Sequence, residues 1–332
     1  MKSDEHRVAI VQHPPVLLDK AATLERALHL IDEAVAGGAH LIVLPEAFIP
    51  GYPDWVWRVP PNDYSLSAAA FAKLQANAVD LKSEDLRQVI EAARRHGVTI
   101  VCGVHERDGS YSRSTLYNTV VTIGPDGALL NRHRKLMPTN PERMVWGMGD
   151  GSGLRVVATP SGRIGTLICW ENYMPLARFA LYAQGVEIYV APTWDEGDTW
   201  IASMQHIAAE GRCWVLGSSN CLQAKDIPLD FPSRAMLYPD ENEWVNPGDS
   251  VVINPTGKIV AGPLHESYGI LYADCDPSVA QAARRTLDVA GHYGRPDIFS
   301  LSVNRQTVAP AVFTDDAQPA RNAPEVPAFG EQ

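Results

Sequence analysis

The sequence has no surplus of positive charge. Lys and Arg total 28 against 39 Asp and Glu, a formal net charge of -11, and a chain so balanced has no general attraction to nucleic acid or to an anionic membrane. A small or neutral partner fits it better. Long apolar runs are also missing: no stretch of 18 apolar residues occurs, which argues against a membrane-spanning helix. The opening MKSDEHRVAIVQHPPV holds only a four-residue apolar run, too short for the core of a secretory signal. The expectation is a cytoplasmic protein. Cysteine is sparse and scattered: Cys102, Cys169, Cys213, Cys221 and Cys275 are odd in number and show no CxxC spacing. This argues against a disulfide framework or a structural zinc site and leaves free thiols. HExxH, GKS or GKT, and GxSxG are all absent, which removes the usual zinc helix, phosphate loop and serine elbow. GMGDGSG, at 147–153, is rich in glycine but lacks the GxGxxG spacing, so it reads as a flexible turn.

What is present reads as an ordinary globule, with 45% hydrophobic and 20% charged residues in 332, enough to bury a sizeable core. RVAIVQ and HLIVLPEAF have the form of buried strands. Between them Leu24, Leu28, Ile31 and Val35 share one helical face that Gly37 and Gly38 can terminate, a β-α-β unit. SEDLRQVIEAARRHG followed by VTIVCGVHE repeats that pattern, as expected of an α/β fold with parallel strands covered by helices. YNTVVTI and ALLNRHRK flank the turn signal GPDG and predict an antiparallel hairpin, so the sheet should be mixed. LRVVATP, RIGTLIC, VEIYVAP, CWVLGSSN, SVVINPTGKIVAGP and GILYADCD continue the strand series, with helical stretches near 175–184 and 200–210. No linker divides residues 1–300, which are expected to form a single domain. Residues 301–332 turn Pro- and Ala-rich and lose periodicity, as expected of an extended or disordered tail.

Three strand ends carry the candidate chemistry. Cys169 ends RIGTLIC ahead of the helical MPLARFALYAQG, a strand-to-helix elbow where a helix N-terminus favours thiolate. Taken alone, it is equally a small buried hydrophobe. Glu46 follows the apolar run LIVL, at the end of a strand where ligands of α/β sheets gather, although a cap or an ion pair would also explain it. Lys135 closes the run His133, Arg134, Lys135, which alone reads as a solvated face. Together the three types make chemical sense. A thiol of pKa about 8.5 is only a few per cent ionised at neutral pH and needs a base or a nearby positive charge; Glu46 can supply the first and Lys135 the second.

At these residues the sequence resembles the nitrilase branch of the carbon-nitrogen hydrolase superfamily. The motifs stand here as VLPEAFIPGYP, HRKLMPTNPERMVWGMGDGSG and LICWENYMPLAR, in that order. APTWDEGDTWIASMQHIAAEGRCWVLGSSN, VINPTGKIVAGP and GHYGRPDIF extend the likeness from about residue 6 to 300. The resemblance implies an α-β-β-α sandwich that pairs through its helices into a four-layer homodimer, often growing into larger spiral assemblies. It also implies catalytic roles for Glu46, Lys135 and Cys169 and a second glutamate, which maps onto Glu142 in NPERMVW. Glu142 could equally be a plain partner of Arg143 or Lys135.

The chemistry implied is hydrolysis of a nitrile to an acid and ammonia through a thioimidate and a thioester, with no metal or organic cofactor. Tyr52, Trp170 and Trp194 are the expected pocket residues, and Glu171 reads as a structural ion-pair partner. Trp55, Trp57, Trp146, Trp170 and Trp194 all fall in or near site-forming segments, which points to aromatic or arylaliphatic nitriles. The alternatives are an amidase or carbamoylase of the same superfamily, which CWEN argues against, and a non-catalytic binding protein with the same fold.

Overall fold

A computed structural model describes residues 7–311, so the first six residues and residues 312–332 of the expected tail lie outside the described range. The first half runs β1 (Arg7–Gln12), α1 (Lys20–Ala36), β2 (Leu41–Ile49), α2 (Tyr64–Ala76), α3 (Arg87–His96), β3 (Thr99–Arg107), β4 (Leu116–Ile123) and β5 (Leu129–Arg134). The second runs β6 (Val156–Thr159), β7 (Gly162–Thr166), α4 (Pro175–Tyr182), β8 (Ile188–Thr193), α5 (Gly197–Gly211) and β9 (Trp214–Ser219). Then follow β10 (Leu222–Gln223), α6 (Arg234–Leu237), β11 (Trp244–Asn246), β12 (Gly248–Ile253), β13 (Ile259–His265), β14 (Gly269–Asp274) and α7 (Pro277–Ala283).

Among the described residues these strands make two six-stranded sheets, ordered β14-β1-β2-β3-β4-β5 and β13-β12-β9-β8-β7-β6, and the small pair β10-β11. Both large sheets are mixed. β1, β2 and β3 run parallel, while the β4-β5 pair is the antiparallel hairpin that GPDG predicts.

The sandwich follows from burial on both faces of the central strands. Side chains alternate across a strand, and in β1 Val8 and Ile10 face one core while Ala9 and Val11 face another. The first core lies between the sheets, where Val8, Ile10, Val43 and Val101 meet Ile188, Val190, Leu216 and Val252. Outside the first sheet, Ala9, Val11, Ile42 and Ile100 pack on α1 and α3. Beyond the second, Tyr189, Val215 and Val251 pack on α4 and α5 through Leu181, Trp200 and Met204. The layers are therefore α-β-β-α, as expected.

Two details differ from the sequence reading. The buried centre of α1 is Ala27, Leu30, Ile31 and Ala34, with Leu24, Leu28 and Val35 at its flanks. The helix α2 carries no clear periodic signal, because alanines fill much of it and only Leu66, Ala70 and Leu74 are buried.

Candidate active site

β2 does not pair evenly along its length. Leu44 lies opposite Cys102 and Ile49 opposite Val104, so the residues between bulge out of the ladder, with Ala47 in the left-handed region at φ 51. Glu46 sits in this bulge, fully buried, and the bulge re-aims it off the sheet. Gly103 passes directly beneath: a Cβ there would be driven into the Pro45 carbonyl oxygen and the Ala47 N–H. This glycine is required by close approach and carries no motif that a sequence reading would pick out.

Three groups hold the Glu46 carboxyl. Asn118 Nδ2 donates to Oε1 at 2.6 Å, Lys135 Nζ donates to Oε1 at 2.9 Å, and the Trp194 backbone N–H donates to Oε2 at 2.6 Å. Lys135 also donates to Glu142 at 2.8 and 3.1 Å. Tyr52 adds its hydroxyl to Glu142 at 2.6 Å, and the Thr139 N–H adds another donor at 2.6 Å. Lys135 thus lies between two carboxyl groups with its side chain wholly buried. Its main chain is fixed as well, the N–H donating to Asn118 O at 2.7 Å and the carbonyl accepting from Gly149 N at 2.8 Å. The stretch GMGDGSG is therefore pressed against the end of β5 and is no flexible turn.

The basic run is not a solvated face either. His133 and Lys135 are buried, while Arg134 pairs with Glu106 and lies 3.7 Å from the Tyr117 ring centroid.

Cys169 departs from its expected setting. β7 ends at Thr166, and Cys169 opens a short 3-10 turn, Cys169–Tyr173, ahead of α4. The thiol is therefore not at the N-terminus of that helix, which begins at Pro175. Its φ is 52, a conformation that costs a non-glycine residue about 1–3 kcal/mol and persists only where its surroundings enforce it. Asn172 helps to enforce it by donating to the Cys169 carbonyl at 2.7 Å and the Leu167 carbonyl at 3.2 Å, itself held by the Tyr189 hydroxyl at 2.6 Å. Glu171 accepts from His133 Nε2 at 2.9 and 3.1 Å and from the Leu136 and Ile168 N–H groups at 2.6 Å each. It is the structural partner expected of it.

Cys169 opens onto a cavity of about 250 Å³ whose walls include Tyr52, Glu142, Trp170 and Trp194. Tyr52 stacks on Trp194 with centroids 4.3 Å apart, and Trp170, 47% exposed, donates from its indole nitrogen to Asp195 at 2.9 Å. Of the five tryptophans named from sequence, Trp57, Trp170 and Trp194 line the cavity. Trp55 and Trp146 are instead core residues packed behind Tyr52, because both are almost fully buried. Asn118 was missed; its only sequence signal is a lone amide within the apolar strand YNTVVTI.

Electrostatics make this a coupled site. Burial, reinforced by the charge of Glu46, pushes the Cys169 thiol well up, and Lys135 pulls it down only in part. Burial likewise raises Glu46 against the pull of Lys135. For Lys135 burial acts to lower the pKa, but Glu46, Cys169 and Glu142 outweigh it and raise it. Tyr52 is raised by burial and by Glu142 and Glu46, which keeps its hydroxyl a donor. The resting arrangement is a neutral thiol beside a basic carboxyl group and a fixed ammonium. Among the described residues no group of three His, Cys, Asp or Glu side chains is placed to hold a metal ion.

Comparison with known proteins gives this arrangement a class. Residues 7–285 match the carbon-nitrogen hydrolase family, and the chain belongs to it. An aliphatic nitrilase from Sinorhizobium fredii (strain HH103) is 43% identical over 307 residues, 90% of this chain and 96% of that one. The bifunctional nitrilase/nitrile hydratase NIT4B of Nicotiana tabacum is 42% identical over 325 residues, 96% of this chain and 92% of its own. The chain is a hydrolase of the nitrilase branch. The crystal structure of Saccharomyces cerevisiae Nit3, 23% identical, shares the fold with a TM-score of 0.64 over 86% of this chain and 96% of that one.

Gly103→Ala is expected to shift the bulge that carries Glu46. Overpacking of this kind costs about 3 kcal/mol, and displacement of Glu46, as a candidate reacting group, is expected to lower turnover about 100-fold. Urea unfolding and ammonia release measure the two effects; wild-type values for both would show that the bulge does not depend on this contact.

Proposed function

We propose that the protein hydrolyses nitriles to carboxylic acids and ammonia, with Cys169 as nucleophile, Glu46 as general base, Lys135 as the stabiliser of developing negative charge, and Glu142 as an aid to proton delivery. The observation that carries the reading is one buried network, Glu46-Lys135-Glu142, electrostatically coupled to a thiol that opens onto the same cavity as Glu142. Sulfur bonds to the nitrile carbon while Glu46 takes the thiol proton, which passes to nitrogen and gives a thioimidate. A raised carboxyl pKa makes Glu46 a stronger base for that transfer, and the neutral thiol is ionised only as it attacks. Water then adds to the carbon. The tetrahedral intermediate expels ammonia to leave a thioester, and a second water releases the acid and restores the thiol. Expulsion of sulfur instead of nitrogen gives the amide, so both products need to be measured; the Nicotiana relative is named for both activities.

The substrate class is part of the proposal. Tyr52, Trp57, Trp170 and Trp194 supply aromatic walls, and flat π surfaces suit the ring of an aromatic or arylaliphatic nitrile. Asp54, Asp195 and Glu196 also line the cavity, with no Lys or Arg among its lining residues, so a nitrile bearing a carboxylate is disfavoured by like charge. A panel of benzonitrile, phenylacetonitrile, mandelonitrile and aliphatic dinitriles, with acid, amide and ammonia quantified, tests reaction and preference together. The expected result is acid as the main product and higher kcat/KM for the ring-bearing substrates. A preference for aliphatic nitriles, the class named for the Sinorhizobium relative, would overturn the substrate assignment. No ammonia from any nitrile, with ammonia from amides, would replace the reading by an amidase.

A homodimer formed through α4 and α5, stacking two four-layer protomers, belongs to the same proposal: Met174 and Leu176, at the start of α4, stand exposed, as they would on a face meant for burial. A cytoplasmic location is supported by five cysteines that are all unpaired, as in a reducing compartment.

A further inference from the structure

The candidate nucleophile and the candidate ammonium come from different sheets. Lys135 directly follows β5 of the first, and Cys169 follows β7 of the second. Their separation therefore depends on what ties the end of β5 to the turn after β7.

That tie is Glu171. Its Oε1 accepts from the Leu136 N–H at 2.6 Å and its Oε2 from the Ile168 N–H at 2.6 Å. His133 Nε2 bridges both oxygens at 3.1 and 2.9 Å. His133 and Leu136 stand on either side of Lys135, and Ile168 directly precedes Cys169. Both side chains of the Glu171-His133 pair are wholly buried, so no water competes for these bonds, and each lost partner carries its full desolvation cost. Neither residue lines the cavity.

We infer that Glu171, seated on His133, is a positioning residue of the reaction: it sets the place of Lys135 relative to Cys169 and acts on turnover without touching substrate. The inference rests on the assignment of Cys169 and Lys135 given above. A buried carboxyl serving stability alone has no need to span the two segments that carry the reacting groups, and this one grips both of them through the main chain.

Glu171→Gln keeps the shape but sets an amide N–H₂ against one of the two backbone donors, which breaks one half of the tie. With rates expressed per reactive Cys169, counted by iodoacetamide labelling and peptide mass, kcat is expected to fall about 100-fold, the loss typical of a misplaced reacting group. KM should stay within about two-fold. The pH profile of Cys169 alkylation should move to higher pH, because the ammonium recedes from the thiol. His133→Gln, which keeps an N–H donor near Glu171, should show the same split at intermediate size; it decides the matter alone if Glu171→Gln yields no folded protein. A lower melting temperature with wild-type kcat per labelled thiol and an unmoved alkylation profile would make Glu171 purely structural and overturn the inference. Cys169→Ala separates the two levels. If that variant still turns over, the assignment of the nucleophile has failed, whereas an inactive Cys169→Ala beside an unaffected Glu171→Gln removes only the positioning role.

Discussion

Cys169→Ala is expected to abolish ammonia release from nitriles, with kcat reduced by about 10⁴-fold or more, the scale seen when a nucleophile acting as part of a unit is removed. The fold should survive it. Cys169 holds φ at 52, and alanine meets the same backbone cost there as cysteine, since both carry a Cβ. The lost sulfur faces a cavity that is already open to ligand, so the melting temperature should change little. Glycine at the same position would relieve the backbone strain and should be equally inactive. Mass spectrometry gives a second check: wild-type protein mixed with substrate and quenched should carry an adduct on the Cys169 peptide, of the nitrile's mass for the thioimidate. Addition of water and loss of ammonia give the thioester. Full turnover by Cys169→Ala, or an adduct on another cysteine, would end the proposed mechanism.

Lys135→Met should damage both activity and stability. The substitution conserves length, but it leaves Glu46 and Glu142 buried at one site without the cation that lies 2.9 and 2.8 Å from them. Removing one partner from a buried ionic network costs about 3–5 kcal/mol, and loss of a preorganised charge opposite a developing anion costs a further 10²–10³-fold in kcat.

The pH dependence has a definite sign. In the wild type the folded pKa of Lys135 is raised, so its stabilising contribution is fully present below the unfolded lysine value of about 10.4 and is lost only in strong alkali. In Lys135→Met the Glu46 carboxyl, already raised by burial, loses the cation that pulls it down, so the folded state binds a proton there more tightly than the unfolded state. Stability of the variant should then increase as pH falls from 8 towards 5, narrowing its deficit against wild type. Urea unfolding at pH 5, 6.5 and 8 measures this. A deficit independent of pH would show that the two carboxyls do not share Lys135 as their counter-charge.

Strand and helix patterns were enough for an α/β fold with mixed sheets, and the family resemblance for the α-β-β-α layers that the structure shows. Apolar runs such as RVAIVQ and LIVL cannot satisfy burial on one face only, so strands of this kind require cover on both sides, and the alternation of Val8 and Ile10 against Ala9 and Val11 divides them between two cores. Glu46 and Cys169 were legible as candidates because each ends such a run with a group that is costly to bury unless partnered or used, whereas Lys135 stood out only through the family-like motif HRKLMPT. Local pattern could not show which side of a turn a side chain takes or what meets it across space. Asn118, Trp194 and Glu46 are far apart in the chain, and only the packing of β4 and the end of β8 against the bulge of β2 brings their polar groups to 2.6 Å. The run His133, Arg134, Lys135 reads as surface from its composition, yet His133 and Lys135 are buried, because the carboxyl groups that bond to them, Glu171, Glu46 and Glu142, arrive from other segments.

Gly103 is silent in sequence for the same reason, since the chain that presses on it lies more than fifty residues away. The residues in CWEN were identifiable as a motif, but the left-handed turn at Cys169 and the grip of Glu171 on the segment bearing Lys135 exist only once two sheets are packed face to face. Short-range sequence fixes which groups are available and which faces must be buried. The tertiary structure decides which groups meet, because hydrogen bonds of 2.6 to 3.1 Å depend on how distant segments pack, and no spacing along one strand encodes that.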